Sequence, residues 1–144
     1  MDMSDRELDA LVAEEVMEWR WRAFKSDRNA PKWAKDIYPP DAIELEWPDE
    51  PGAPPLAELP YLRSAHYLDM PHYSSDIAAA WQVVEKMREN WFIAISTTIE
   101  GGWMVIIRRH GYSNTLEVTS IDSAPRAICL AVLKALGVEV DDGR

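Results

Sequence analysis

The run Trp103-Met104-Val105-Ile106-Ile107 constrains this chain more than any other stretch, because it is apolar at every position and too short to stand as a helix. Read as a strand, it directs Trp103, Val105 and Ile107 to one side and Met104 and Ile106 to the other. An antiparallel sheet with one wet face would place a polar residue at every second position, and none stands here before Arg108. Cover on both faces follows as the expectation. The neighbouring runs Trp91 to Thr98 and Thr115 to Ile121 are rich in aromatic and β-branched residues. They are separated from the central run by Glu100-Gly101-Gly102 and Gly111-Tyr112-Ser113-Asn114, short joints that favour a three-stranded antiparallel meander.

Three helices flank this sheet in the sequence. Ser4 and Glu7 have capping-box spacing, and Leu8, Leu11, Val12, Val16 and Trp19 recur at helical intervals behind them. Glu7, Asp9, Glu14 and Glu18 read as the solvated face of this first helix. A second helix is predicted from about Ser75 to Glu89, with Ser74 or Ser75 as N-cap and Ile77, Trp81, Val84 and Met87 or Arg88 along its buried side. A third opens at Ser123 with Pro125 in its first turn and ends at Gly137. Its run from Ala127 to Leu133 is apolar nearly all round, which suits a subunit contact or burial beneath another segment. The expected fold class is α+β. It takes the form of a three-layer α/β/α sandwich in the order helix, Pro-rich loop, helix, three strands, helix, with helices two and three on one face of the sheet. Helix one, the Pro-rich segment or a partner would lie on the other.

Nine of the ten prolines fall between Pro31 and Pro71, so backbone donors are missing too often for a helix or a central strand. Residues 25–71 are therefore expected as an extended or irregular insert within one domain covering 1–144. Charge is sorted across this region. Trp19 to Lys35 holds six bases and one acid, whereas Asp36 to Glu58 holds seven acids and no base, so the two halves have opposite signs available for pairing.

The whole chain carries 25 Asp and Glu against 15 Lys and Arg, a net charge of −10, which argues against general affinity for nucleic-acid backbones and leaves room for a small anion in a local basic pocket. Its one cysteine, Cys129, excludes an intrachain disulfide and multi-cysteine metal sites. No apolar run approaches the ~20 residues of a membrane span, and the acidic start Met1-Asp2-Met3-Ser4-Asp5 lacks the basic region of a signal peptide. A cytoplasmic protein without membrane contact is expected.

The stretch His72-Tyr73-Ser74-Ser75-Asp76-Ile77-Ala78-Ala79-Ala80-Trp81-Gln82-Val83-Val84-Glu85-Lys86 resembles the phage ABA sandwich domain family, as do the opening Leu8 to Met17 and the closing Thr119 to Leu133. The resemblance implies an α/β/α fold and a phage or prophage accessory protein working in a bacterial cytoplasm. It brings no established active site. Glu18 stands where relatives tend to have glycine, and the Pro-rich insert departs from the family pattern.

Candidate sites have each to be weighed against simpler roles. Trp19-Arg20-Trp21-Arg22-Ala23-Phe24-Lys25, continued by Arg28, Lys32, Trp33 and Lys35, alternates cations with aromatic faces. That chemistry suits a nucleotide, because guanidinium and ammonium groups pair with phosphate while a ring stacks on a base. The simpler role is packing by the tryptophans and pairing of the bases with the acidic stretch. Tyr73-Ser74-Ser75 offers hydroxyls and free backbone N–H groups to an anion, or merely caps its own helix. His66, His72 and His110, with Asp69 or Asp76, match no metal-ligand spacing, and Cys129 reads as a small buried hydrophobe. The order helix, three strands, helix is also that of double-stranded RNA-binding domains, but Asp122-Ser123-Ala124-Pro125-Arg126 lacks the basic cluster that would grip phosphates.

The expected ligand-binding set is Arg20, Trp21, Arg22, Lys25, Tyr73, Ser74, Ser75, Trp103, Arg108 and Arg109, with no catalytic residue, metal or cofactor. The expected function is that of a non-catalytic phage protein that sequesters a small nucleotide-type defence signal, as a homo-oligomer with pockets completed between subunits. The alternative is an interaction factor that inhibits a host protein through the Pro-rich acidic segment. A phosphodiesterase-type enzyme is the third and weakest option.

Overall fold

A computed structural model describes residues 3–26, 32–61, 70–120 and 123–140. Its elements are α1 (Asp5–Glu15), β1 (Arg20–Ser26), β2 (Lys32–Tyr38), α2 (Ile77–Met87), β3 (Trp91–Thr97), β4 (Trp103–Arg109), β5 (Thr115–Ser120) and α3 (Ala124–Ala135), with short 3-10 turns at Ile43–Glu46 and Leu56–Glu58. This is a mixed α/β chain with two antiparallel sheets, β1-β2 and β3-β4-β5. It divides into two compact units, one made of Met1–Met17 with Pro71–Arg144 and the other of Glu18–Met70.

In the first unit the meander forms as its short joints require, with Ile95 opposite Val105 and Val105 opposite Val118. Val105, Ile107 and Val118 are buried, and α3 packs on β4 and β5. Both α1 and α2 pack against α3 in turn. The apolar circumference of α3 is thereby accounted for within the unit, because sheet and helices enclose it from several sides and every residue from Ala127 to Leu133 is buried. Ser123 caps it, accepting the Arg126 N–H at 3.0 Å, and Gly137 ends it at φ +80°.

The second face of the sheet is less deeply buried than the first. Met104 and Ile106 are only half-buried, and Phe92 on the same face is 48% exposed. Register gives the reason. Met104 lies between Ser96 and Thr119, and Ile106 lies between Ala94 and Glu117, so the apolar stripe of β4 is bordered by polar side chains that shield its edges.

Two helix expectations also change. α2 begins at Asp76, whose carboxylate accepts the Ala78 N–H at 3.0 Å, and not at Ser74 or Ser75. Its buried residues are Ala79, Ala80, Val83, Val84 and Met87, while Ile77 and Trp81 are more than half exposed. The alanines allow a close approach to α3 that larger side chains would block. α1 keeps its capping box but stops at Glu15, so Trp19 and Glu18 lie outside it.

Asp9 is the larger surprise. Placed by periodicity on the wet face, it is 0% exposed. Its Oδ1 accepts the Ser74 N–H and the Ser74 hydroxyl, both at 2.7 Å, and its Oδ2 accepts Arg6 Nη1 at 2.9 Å. A buried carboxylate is tolerated only when saturated in this way. Arg126 adds a second tie, donating to Asp5 Oδ1 at 2.8 Å and to the Met3 carbonyl at 3.0 Å.

In the second unit β1 and β2 form a hairpin, in which Arg20 faces Tyr38 and Lys25 faces Trp33, so the segment expected as extended or irregular from residue 25 contributes one regular strand. β2 occupies the proline-free window between Pro31 and Pro39, so every ladder donor is present. Beyond it the chain is irregular, as the prolines require, apart from its two 3-10 turns. The observed order therefore inserts two strands between the first and second helices.

Two outcomes are expected from these contacts. Asp9→Ala strands two donors of Ser74 and the Arg6 guanidinium, and should lower unfolding free energy by about 2–4 kcal/mol in urea titrations; a loss under about 1 kcal/mol would refute the structural role of this carboxylate. Glu18 sits at φ +64°. A left-handed non-glycine residue costs about 1–2 kcal/mol and glycine's extra unfolded freedom returns about 0.5–1. Glu18→Gly should therefore raise stability by about 0.5 kcal/mol, read as a higher urea midpoint.

Candidate functional site

The basic and aromatic run lies on β1, where strand alternation separates Trp21, Ala23 and Lys25 from Arg20, Arg22 and Phe24. On the first side Lys25 Nζ stands 5.0 Å from the Trp33 ring centroid and Lys35 Nζ stands 4.8 Å from that of Trp21. Tyr61 meets Trp21 edge-on at 5.2 Å and 87°. These contacts fix Trp21 in orientation and are favourable, because a cation over an aromatic face meets its negative quadrupole.

From the other side Arg22 reaches a loop further along the chain, its Nη2 donating to the Pro48 carbonyl at 2.7 Å. The loop is shaped by the preceding 3-10 turn, in which the Trp47 N–H donates to the Glu44 carbonyl. Between β1 and this loop lies a cleft of about 370 Å³ lined by Arg20, Trp21, Arg22, Leu45, Trp47, Pro48 and Asp49. Trp47 is 57% exposed. Arg20 makes no hydrogen bond or ion pair with another described residue, so its guanidinium is available. Two guanidinium groups against one carboxylate give the cleft a local positive excess within an acidic chain, and the indoles supply stacking surface.

Of the residues expected from the sequence, Arg20, Trp21 and Arg22 line this cleft. Leu45, Trp47, Pro48 and Asp49 come from the acidic half of the segment and form no motif of their own. The available signal was the opposite charge of the two halves of the segment, since a chain sorted in this way folds back on itself. The pairing uses a backbone carbonyl where side-chain carboxylates were expected.

The remaining candidates lie elsewhere. Lys25 is on the hairpin but outside the cleft lining. Tyr73 and Ser74 are buried, and the Ser74 groups are directed at Asp9. Ser75 is exposed and borders a second cavity, of about 520 Å³, with Met3, Ser4, Asp5, Ser74, Ser123 and Arg126. This space adjoins the N-termini of α1 and α3, but their capping serines and Arg126 are already engaged as described above. Trp103, Arg108 and Arg109 line neither space. Arg108 lies over Phe92 at 5.5 Å and Arg109 over Tyr112 at 5.2 Å, contacts that hold both guanidiniums on the sheet surface.

For metal chemistry, His66 and Asp69 lie outside the described residues. His72 Nδ1 is 3.2 Å from Arg6 Nη1, and among the described residues no three His, Cys, Asp or Glu side chains gather around a point. No helix among them is long and apolar enough to cross a membrane.

Comparison with known proteins sets this geometry in context. The profile of the phage ABA sandwich domain matches residues 10–133. The chain is similar in fold to a phage protein from Bacillus cereus ATCC 14579 known from its crystal structure, at 22% identity and a TM-score of 0.51, covering 91% of this chain and 90% of that one. No curated protein matches.

Cys129 is the one side chain that chemistry alone would nominate as a nucleophile. Burial pushes its thiol far above the ordinary range, and the nearby Asp9 carboxylate acts in the same direction, so the thiolate is suppressed at neutral pH. Cys129 is expected to resist a water-soluble disulfide reagent in the native protein up to pH 9 and to react within minutes once urea unfolds the chain. Stoichiometric native labelling would show the burial to be wrong.

Proposed function

The chain belongs to the phage ABA sandwich domain family, and from that premise we propose that it is a phage accessory protein that holds a small nucleotide-type anion in the hairpin cleft without transforming it. In a bacterial host such binding withdraws the ligand from signalling, which is a route to suppressing defence. The observation that carries this reading is the convergence of Arg20, Arg22, Trp21 and Trp47 on one space. Guanidinium forks pair with phosphate oxygens, and an exposed indole stacks on a base whatever its identity. The cleft is open, so self-association that closes it belongs to the same reading and would raise affinity by excluding water.

A second reading rests on a different observation. Ile43, Trp47 and Leu56 are exposed along a segment that carries seven acids and no base from Asp36 to Glu58. Apolar anchors in an acidic setting suit a basic host protein.

The two readings separate experimentally. Purified protein is incubated with cyclic ADP-ribose-type, cyclic dinucleotide and mononucleotide probes, freed of unbound material and then denatured. Intact nucleotide should be released, and Arg20→Ala should weaken retention by about tenfold or more, since a charge-assisted hydrogen bond contributes about 1.5–3 kcal/mol. The melting temperature should stay unchanged, because Arg20 supports no other described residue. Absence of any retained probe overturns the proposal, and release of a converted product replaces it with catalysis. Native mass spectrometry of the same sample counts the subunits.

A further inference from the structure

The hairpin cleft contains a group that a plain phosphate site would exclude. Asp49 shares the lining with Arg20 and Arg22, yet its carboxylate forms no ion pair or hydrogen bond with any described residue. Opposite charges in one cleft that do not neutralise each other make the site bipolar, with guanidinium and carboxylate both open to a guest and the Trp47 indole exposed in the same lining. An ionised carboxylate only accepts hydrogen bonds, and it repels phosphate. Its natural counterpart is a neutral edge bearing two adjacent N–H donors.

Among nucleobases, guanine alone has that edge, since its N1–H and exocyclic N2 amine stand side by side and match the two oxygens of one carboxylate. Adenine and cytosine each set an acceptor beside their single amino group, and uracil flanks its one N–H with carbonyls. Each would turn a lone pair toward Asp49. Resting on the nucleotide-binding reading above, we infer that the cleft is selective for guanine nucleotides, with Asp49 accepting from N1–H and the N2 amine, Trp47 stacking on the base, and Arg20 and Arg22 directed to phosphate. A space of about 370 Å³ lies within the range that small-ligand sites occupy.

The test measures binding of GMP, IMP and AMP, and of cyclic di-GMP and cyclic di-AMP, by calorimetry at fixed salt. The guanine member of each pair should bind about tenfold or more tightly than the adenine member, with IMP between GMP and AMP because it lacks the N2 amine. Asp49→Asn should abolish or invert the preference, since an amide presents the donor and acceptor that adenine requires. Its melting temperature should match that of the parent protein, as Asp49 is exposed. Equal affinity for guanine and adenine probes, unaltered by Asp49→Asn, overturns the selectivity and leaves the nucleotide site standing. Failure of all five probes to bind overturns both.

Discussion

The Asp9 carboxylate sets the terms for everything around it. An unpaired charge at 0% exposure would be intolerable, so the fold must deliver Arg6 from one direction and the two donors of Ser74 from another. Meeting that demand fixes the start of α2 relative to α1, although 65 residues separate Asp9 from Ser74 in the chain. The Arg126 bridge to Asp5 fastens α3 to the same helix. With three helices registered by polar contacts, the apolar side chains of α3 meet sheet and helices in one arrangement. The intervening segment is then free to vary, because none of these contacts draws on residues 18–70.

Local rules made much of the first unit legible. The capping box at Ser4, the N-cap at Ser123 and the glycine stop at Gly137 each specify a boundary through a single satisfied backbone group. The meander followed from β-prone runs and short joints. Periodicity misled where packing depends on size and polarity together. Asp9 stands between apolar neighbours on a helix and is charged, so pattern alone sends it to water; only the distant Ser74 makes its burial possible. Ile77 and Trp81 have the right spacing for a core face but the wrong volume, since small alanines lie where α2 approaches α3. On the sheet, the two-sided apolar character of β4 was real, while the polar neighbours that border its outer face became visible only with register.

The site shows the same division. The alternation of Arg20, Trp21 and Arg22 is a period-two signal written within three residues. Its partners at Leu45 to Asp49 come from a loop with no periodicity, brought there by one hydrogen bond to a carbonyl that every residue type possesses. Tyr73 and Ser74 carried suitable chemistry for a ligand, but burial and the demand of Asp9 engage them internally. Arg108 and Arg109 adjoin Phe92 and Tyr112 instead of the cleft. Membership of the phage ABA sandwich domain family supplies the setting of a phage protein, while the chemistry of the cleft is read from this chain's own residues.

The position of α3 has a consequence for how the protein is made. Among the described helices it comes last in sequence, and it is the element on which β4, β5, α1 and α2 all converge. Until it is made, β4 and β5 lack the helix that packs on them and α1 and α2 lack the partner they share, so the first unit cannot consolidate before α3 is present. The second unit is one contiguous stretch and its two strands are neighbours in sequence, so the cleft-bearing hairpin can assemble early. Synthesis thus separates the two units in time, with the hairpin-bearing unit shaped first and the helix-bearing unit afterward.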